Sequence, residues 1–303
     1  MNRNEEKQNM RMIIDPALPQ WKGNFHCHTT GSDGWLTPRE AAAQYRAAGY
    51  DFLAITDHRR VTEPAEAETD LLLIPGVELD YRVETGHAQA VHIIGVGVHP
   101  GIMQDPAALA SPQQGVDAIR ACGGLAIFAH PAWSLNDPET IKGLKHLSAV
   151  EIYNRCSDFP WNARRADSSE VIDLCFADGF LLPIVAADDA HRYNGDQCHS
   201  AVIACAEACT RESILDALDK GNVYGSQGPR ITEMKIEDGE VALKCTPCRK
   251  VIFYSDAIYS RERTLSGEDI TEARYRPLPR ETYIRVEIED ENGLRAWSSP
   301  VRL

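Results

Sequence analysis

Two histidines, His26 and His28, stand two residues apart at the end of an apolar lead-in from Trp21, and Asp33 follows five residues later on a glycine-flanked turn. Side chains alternate along a strand, so residues i and i+2 point to one side. Neutral imidazoles so placed can grip one ion, with zinc, iron or manganese the natural choices. Such a pair also serves as half-buried packing, so its meaning rests on whether other ligands join it. His28, His58, Glu78, His130, Asp189 and His191 all fall at or just past the C-terminal ends of apolar runs. In α/β proteins that rim is where active sites are built. Each residue alone reads equally well as a satisfied loop residue, but six ligand types on one rim predict a metal site.

The elements that must position them alternate. Thr37-Pro38-Arg39-Glu40 has the capping-box pattern, and its helix runs to Gly49. A strand from Phe52 to Thr56 ends in Asp57-His58, a helix is expected over 62–70, and two strands follow, one ending near Glu78 and one beginning at His92. Ser111-Pro112 opens a helix closed by Gly123-Gly124, and LAIFA leads into His130-Pro131. Helices over 138–146 and 161–178 flank the strand AVEIYN; LLPIVAA then ends at Asp188-Asp189-Ala190-His191, and Thr210 caps a helix stopping at Gly221. So many strand and helix units predict parallel pairing in a closed or nearly closed barrel. From Val223 short β-like runs without amphipathic helices predict a small antiparallel sandwich. The expected organisation is a loose leader over 1–15, a barrel over 16–222 and a sandwich over 223–303.

The chain has 303 residues, 43% hydrophobic and 25% charged, enough for one large unit and a small one. Its net charge of −14 argues against binding to nucleic-acid polymers or anionic membranes. Nine scattered cysteines and a polar start without the apolar core of a signal peptide suit a reducing cytoplasm. Cys245-Thr-Pro-Cys248, a lone CxxC, reads as a turn between strands rather than a zinc knuckle.

Taken as a set, His26-x-His28 with Ser32-Asp33-Gly34, Thr56-Asp57-His58, Gly76-Val77-Glu78, His92-Ile-Ile-Gly95, Ala129-His130-Pro131, Glu151-Ile152-Tyr153-Asn154 and Asp189-x-His191 resemble the PHP (polymerase and histidinol phosphatase) family. The resemblance runs from residue 22 to about 222. It implies a distorted barrel of seven β/α units holding two or three divalent ions. The C-terminal region, with Gly225-Ser226-Gln227-Gly228-Pro229 and Ala296-Trp297-Ser298-Ser299-Pro300, resembles the carbaryl hydrolase-like branch. Carried over, the resemblance implies one ion on His26, His28, Glu78 and Asp189. It implies a second on bridging Glu78, His130 and His92, and a third position on Asp33, His58 and His191. His87 competes with His92 for its role. Asp188 departs from the Gly or Ser common before the last Asp-x-His, and would add a carboxylate near the metals.

Clustered divalent ions supply hydroxide near neutral pH and polarise the bond attacked. Three such ions against Asp33, Glu78 and Asp189 leave a local charge of roughly +3, able to draw an anion into an acidic protein. Glu78 would set the metal separation, and Asp57 could orient an imidazole, accept a proton, or simply cap its turn. Cys27 should point into packing, away from nucleophilic chemistry. Arg59, Arg60, Arg155 and Arg192 follow rim strands and could clamp phosphate, with Arg230 a candidate at the junction. Surface arginines are usually only solvated. Trp133 and Trp161 could stack on an aromatic or nucleoside group or simply pack their loops. These features predict a metal-dependent hydrolase, foremost a phosphoesterase acting on a small, anionic phosphomonoester or phosphodiester. Alternatives are hydrolysis of an uncharged ester, carbamate or amide, and a non-catalytic metal-binding module.

Overall fold

A computed structural model describes residues 10–67, 69–84, 88–104 and 109–303. His87 lies outside the described residues, as does the start of the expected leader. Met10–Ile14, the leader's later part, forms β1, paired with β11 (Ile231–Glu237). The site-bearing half continues with β2 (Gln20–Asn24), α1 (Pro38–Ala47), β3 (Phe52–Ile55), β4 (Leu72–Glu84), β5 (Ala88–Val96), α2 (Pro112–Ala121), β6 (Leu125–Phe128), α3 (Pro138–Lys142), β7 (Ala149–Asn154), α4 (Ser169–Ala177), β8 (Ile184–Ala187), β9 (Ala201–Cys205) and α5 (Arg211–Lys220). The second half is β10 (Val223–Ser226), then β11, β12 (Glu240–Tyr254), β13 (Thr264–Tyr275), β14 (Tyr283–Glu289), β15 (Arg295–Ser298) and β16 (Val301–Arg302).

The sheet is mixed rather than all parallel. β2, β3 and β4 pair in parallel, β4, β5 and β6 antiparallel, and β6, β7 and β8 in parallel again. β3, β6 and β8 are apolar and buried along their whole length, as strands covered on both faces must be. Past the strand ends, His28 N donates to Ala190 O at 2.9 Å and Asp189 N to His26 O at 2.9 Å, so the end of β8 is tied to the end of β2. β10 pairs with β9 on one side and β15 on the other, so the sheet runs on into the C-terminal strands. Fully buried Trp297 of β15 stacks on Tyr153 of β7 at 5.5 Å, and Arg285 of β14 grips Asp173 of α4 through Nε at 2.6 Å and Nη2 at 2.5 Å.

Several elements differ from expectation. The helix predicted over 62–70 is a single 3₁₀ turn, Pro64–Glu66. The one predicted over 161–178 begins only at Ser169, because Ala163 and Arg164 both take left-handed φ of 54° and interrupt it. His92 lies inside β5 rather than at its start. Cys245 and Cys248 lie within β12 instead of in a turn, where its register with β13 slips, with sulfurs 3.8 Å apart. Both thiols are free, as are the other seven. No helix among the described residues is long and apolar enough to cross a membrane.

Candidate metal centre

The ligand-type side chains arrive from four strand ends and from two strand interiors, and converge. His26 and His28 extend past β2, His58 past β3, His130 past β6, and Asp189 and His191 past β8. Glu78 and His92 instead come from the middle of the paired strands β4 and β5, with His92 Nδ1 2.7 Å from Glu78 Oε1. His130 and Asp189 hold φ of 28° and 54°, conformations that cost non-glycine residues roughly 1–3 kcal/mol and persist where surroundings impose them.

Three groups form, and within each the ligand atoms lie within 4.8 Å of one another: His26, His28, Glu78 and Asp189; Glu78, His92 and His130; and His28, Asp33, His58 and His191. These groups bring together His26, His28, Asp33, His58, Glu78, His92, His130, Asp189 and His191, with Glu78 common to two of them. A fourth group joins Cys156 to Asp189 and His191. In the first, His26 Nε2 is 3.3 Å from Glu78 Oε2 and 3.1 Å from Asp189 Oδ1, and His28 Nε2 is 3.1 Å from each of the same oxygens. A tetrahedral ion with bonds of about 2.0–2.1 Å spaces its ligand atoms about 3.3–3.4 Å apart, so these residues fit one with little adjustment.

A second observation agrees. His26 Nε2, His28 Nε2, His58 Nδ1 and Asp189 Oδ1 are buried without a hydrogen-bond partner. Each such group costs about 1–3 kcal/mol unless something satisfies it, and a cation held by the first group would satisfy three of the four, all but His58 Nδ1. The field has the matching sign. Burial works to lower the basicity of His26, but the carboxylates of Asp189, Glu151 and Glu78 overcome it and raise it well above the usual histidine range. Against the same burial, the facing histidines hold Glu78 and Asp189 well below the usual carboxylate range.

The histidines are aimed by their other nitrogens, as metal-binding imidazoles are. His26 Nδ1 meets Glu151 Oε1 at 2.8 Å, His130 Nδ1 meets Ser134 Oγ at 3.0 Å, and His191 Nδ1 meets the Asp189 carbonyl at 2.8 Å. Glu151 also accepts from His130 N at 2.9 Å, and Asn154 Nδ2 reaches both Glu151 at 3.1 Å and Asp189 at 3.3 Å. Sequence reasoning assigned Glu151, Asn154 and Ser134 no role. A carboxylate inside the apolar run AVEIYN, and a hydroxyl four residues past His130, were the available signals.

Two expected carboxylates face elsewhere. Asp57, considered as a proton acceptor, receives Thr29 N at 2.7 Å and the hydroxyls of Thr29, Ser32 and Thr62 at 2.8, 2.9 and 2.6 Å. It therefore pins the loop that carries Asp33. Asp188 receives Tyr45 Oη at 2.9 Å and three backbone N–H groups, from Cys198, His199 and Ser200 at 2.6, 3.0 and 2.7 Å, so it adds no carboxylate to the centre. Burial pushes its carboxyl up to about 7 against those four donors. Cys27 is fully buried, with Sγ 3.7 Å from Ala54 O.

The rim arginines divide. Arg59 pairs with Asp80 at 3.1 Å, Arg60 with Glu66, and Arg155 with Asp158 at 2.9 Å. Arg230 lines a separate small pocket with Lys22 and Tyr50. Arg192 alone of the five has no carboxylate partner among the described residues while lining the cleft above Glu78, His130 and Asp189. Trp133 borders that cleft too, edge-on to His92 and His130 at 5.9 and 4.9 Å, with its Nε1 donating to Asn162 at 3.1 Å.

No protein-family model matches the chain. A 5′-3′ exoribonuclease of Haemophilus influenzae is 36% identical over 87 residues, a match covering 26% of this chain and 31% of that protein. The chain thus aligns with less than a third of that relative's length. Among solved structures, a two-domain protein of Bacteroides vulgatus containing a predicted PHP-like metal-dependent phosphoesterase superposes with a TM-score of 0.54 at 16% identity, covering 100% of this chain and 99% of the other. A lesion-specific endonuclease of Pyrococcus furiosus reaches a TM-score of 0.47 at 13% identity, over 67% of this chain and 56% of its own. The chain has a PHP-like fold.

Proposed function

We propose that this protein is a metal-dependent hydrolase and, within that class, a phosphoesterase acting on a small phosphomonoester or phosphodiester. The observation that carries it is the set of ligand groups sharing Glu78, with four buried ligand atoms left without partners. We read the strands from β2 to β8 as the distorted seven-unit barrel of the PHP family, and the C-terminal strands as the sandwich of its carbaryl hydrolase-like branch. In this reading His26, His28, Glu78 and Asp189 hold one ion, Glu78, His92 and His130 a second, and Asp33, His58 and His191 a third. Two or three zinc, manganese or iron ions held there would supply a hydroxide nucleophile and Lewis acidity.

The chain's own residues do the rest. Glu151, Ser134 and the Asp189 carbonyl keep three imidazoles in the tautomer that leaves the inward nitrogen free to bind. Asp57 fixes the Asp33 loop, and Trp133 walls the cleft against water beside His92 and His130. Arg192 offers the guanidinium that an anionic substrate needs. The substrate is a small molecule rather than a nucleic-acid polymer, given the net charge of −14, and nine reduced thiols suit the cytoplasm.

A second reading, hydrolysis of an uncharged ester, carbamate or amide, draws support from the engagement of Arg59, Arg60 and Arg155 by carboxylates. Metal analysis of the purified protein, followed by phosphomonoester, phosphodiester and carboxylic ester panels, tests both. The expected result is two or three bound ions per chain and phosphoester turnover, both lost in the His26→Ala plus His28→Ala double variant while the circular dichroism spectrum is kept. Turnover of esters alone moves the assignment to the second reading, and full activity in the double variant sinks the class.

A further inference from the structure

One arrangement at the mouth of the cleft has no part in holding metal. Trp35 and Trp161 reach it from loops far apart in sequence and remain 64% and 62% exposed. The guanidinium of Arg192 lies over both indoles, 5.7 Å from the Trp35 ring centre and 5.5 Å from that of Trp161. Phe159 stacks against Trp161 at 4.6 Å with an interplanar angle of 13°, which backs that ring. Trp35 is placed by its own backbone, whose N–H donates to the carbonyl of the ligand residue His191 at 2.7 Å. The cleft between these rings and the ligand cluster measures about 430 Å³, within the range of small-molecule sites.

Indole is the largest apolar side chain, and leaving two mostly exposed forgoes the burial that normally anchors them. Their π faces attract a cation and stack on any flat ring, whatever polar groups that ring carries. An arginine beside them has two uses, since its face stacks and its edge donates to phosphate oxygens. Resting on the phosphoesterase reading, we propose that Trp35, Arg192 and Trp161 form a subsite for a flat aromatic ring, aryl or nucleobase, attached to the phosphoester that the metal centre receives. The ring lies against Trp161, and Arg192 bridges it to the phosphoryl group.

Non-hydrolysable probes test the subsite apart from catalysis. Phenylphosphonate and methylphosphonate carry the same charged group and differ by the ring, so each is titrated calorimetrically into the metal-loaded protein. Phenylphosphonate is expected to bind about tenfold more tightly, and Trp161→Ala to remove that advantage while leaving methylphosphonate affinity unchanged. Equal affinities in the parent protein, or an equal loss for both probes in Trp161→Ala, overturn the proposal. The phosphonate analogue of adenosine 5′-monophosphate separates the two kinds of ring: tighter binding than phenylphosphonate, abolished by Trp161→Ala, assigns a nucleobase, and weaker binding an aryl group. Turnover of phenyl phosphate and glycerol phosphate separates this inference from the reading beneath it. A protein that prefers phenylphosphonate yet hydrolyses neither ester keeps the subsite and loses the phosphoesterase assignment. One that hydrolyses both with equal kcat/KM and binds both phosphonates equally keeps the assignment and loses the subsite.

Discussion

Glu151 shows how much of this centre depends on residues that would never touch an ion. Its carboxylate holds His26 Nδ1 and the backbone of His130, so two ligands from different strands share one support. Partners of this kind are worth about 10–100-fold in metal affinity. Glu151→Gln should weaken binding by that factor in a competition titration with a metallochromic chelator, with the fold retained. Undiminished affinity would remove Glu151 from the role. The convergence of the candidate ligands was legible in sequence because polar residues interrupt apolar strand ends where nothing structural calls for them. The direction of a side chain was not. Asp57 and Asp188 each neighbour a ligand, yet local donors draw both carboxylates away. The same holds for the arginines: Arg60 stands two residues past His58 in sequence but pairs with Glu66. Arg60→Ala should therefore leave the Michaelis constant for a phosphoester within about twofold, as for an exposed ion pair. Arg192→Ala should raise it about tenfold or more, having lost a charged hydrogen bond. Steady-state kinetics on the two variants decides between them.

At the level of elements, the strands were read well and the helices less so. Short, wholly apolar runs such as FLAI and IVAA can only be buried strands here. Helix length depended on backbone features that composition hides, such as the left-handed pair at Ala163 and Arg164. Also hidden was the grip of the C-terminal strands on the rest. Arg285 of β14 is wholly buried, bound to Asp173 of α4 by two hydrogen bonds and stacked on Tyr254 at 3.9 Å. Nothing near either residue in the chain points to the other, since 112 positions separate them. Removing one partner of a buried pair leaves an uncompensated charge and costs about 3–5 kcal/mol. Asp173 is 24% exposed, which puts Asp173→Asn near or below the lower figure. Urea unfolding should show a loss of about 2–3 kcal/mol in that variant. Asp173→Leu combined with Arg285→Leu should recover much of it, because the stranded cation is then gone as well. A loss below about 0.5 kcal/mol would class the pair with ordinary surface ion pairs.

For the whole molecule, the question that the phosphoesterase proposal raises is how an acidic protein would receive an anion. The net charge is −14, while divalent ions at the ligand cluster, with Arg192, would make only the floor and mouth of one cleft positive. Fields from the distant carboxylates act over the Debye length, about 30 Å at 10 mM salt and 8 Å at 150 mM. Contacts inside the cleft are shorter than either length and are screened much less. Raising monovalent salt from 10 to 150 mM should therefore weaken the long-range repulsion more than the local attraction. For a phosphomonoester kcat/KM is expected to rise about two- to threefold across that range, since steering by net charge acts on the encounter rate. An uncharged carboxylic ester should show no such slope, which makes the experiment informative about substrate charge as well. A fall in phosphomonoester kcat/KM with salt would mean that the positive cleft governs approach at a distance, and that the surface carboxylates are too remote from its mouth to matter.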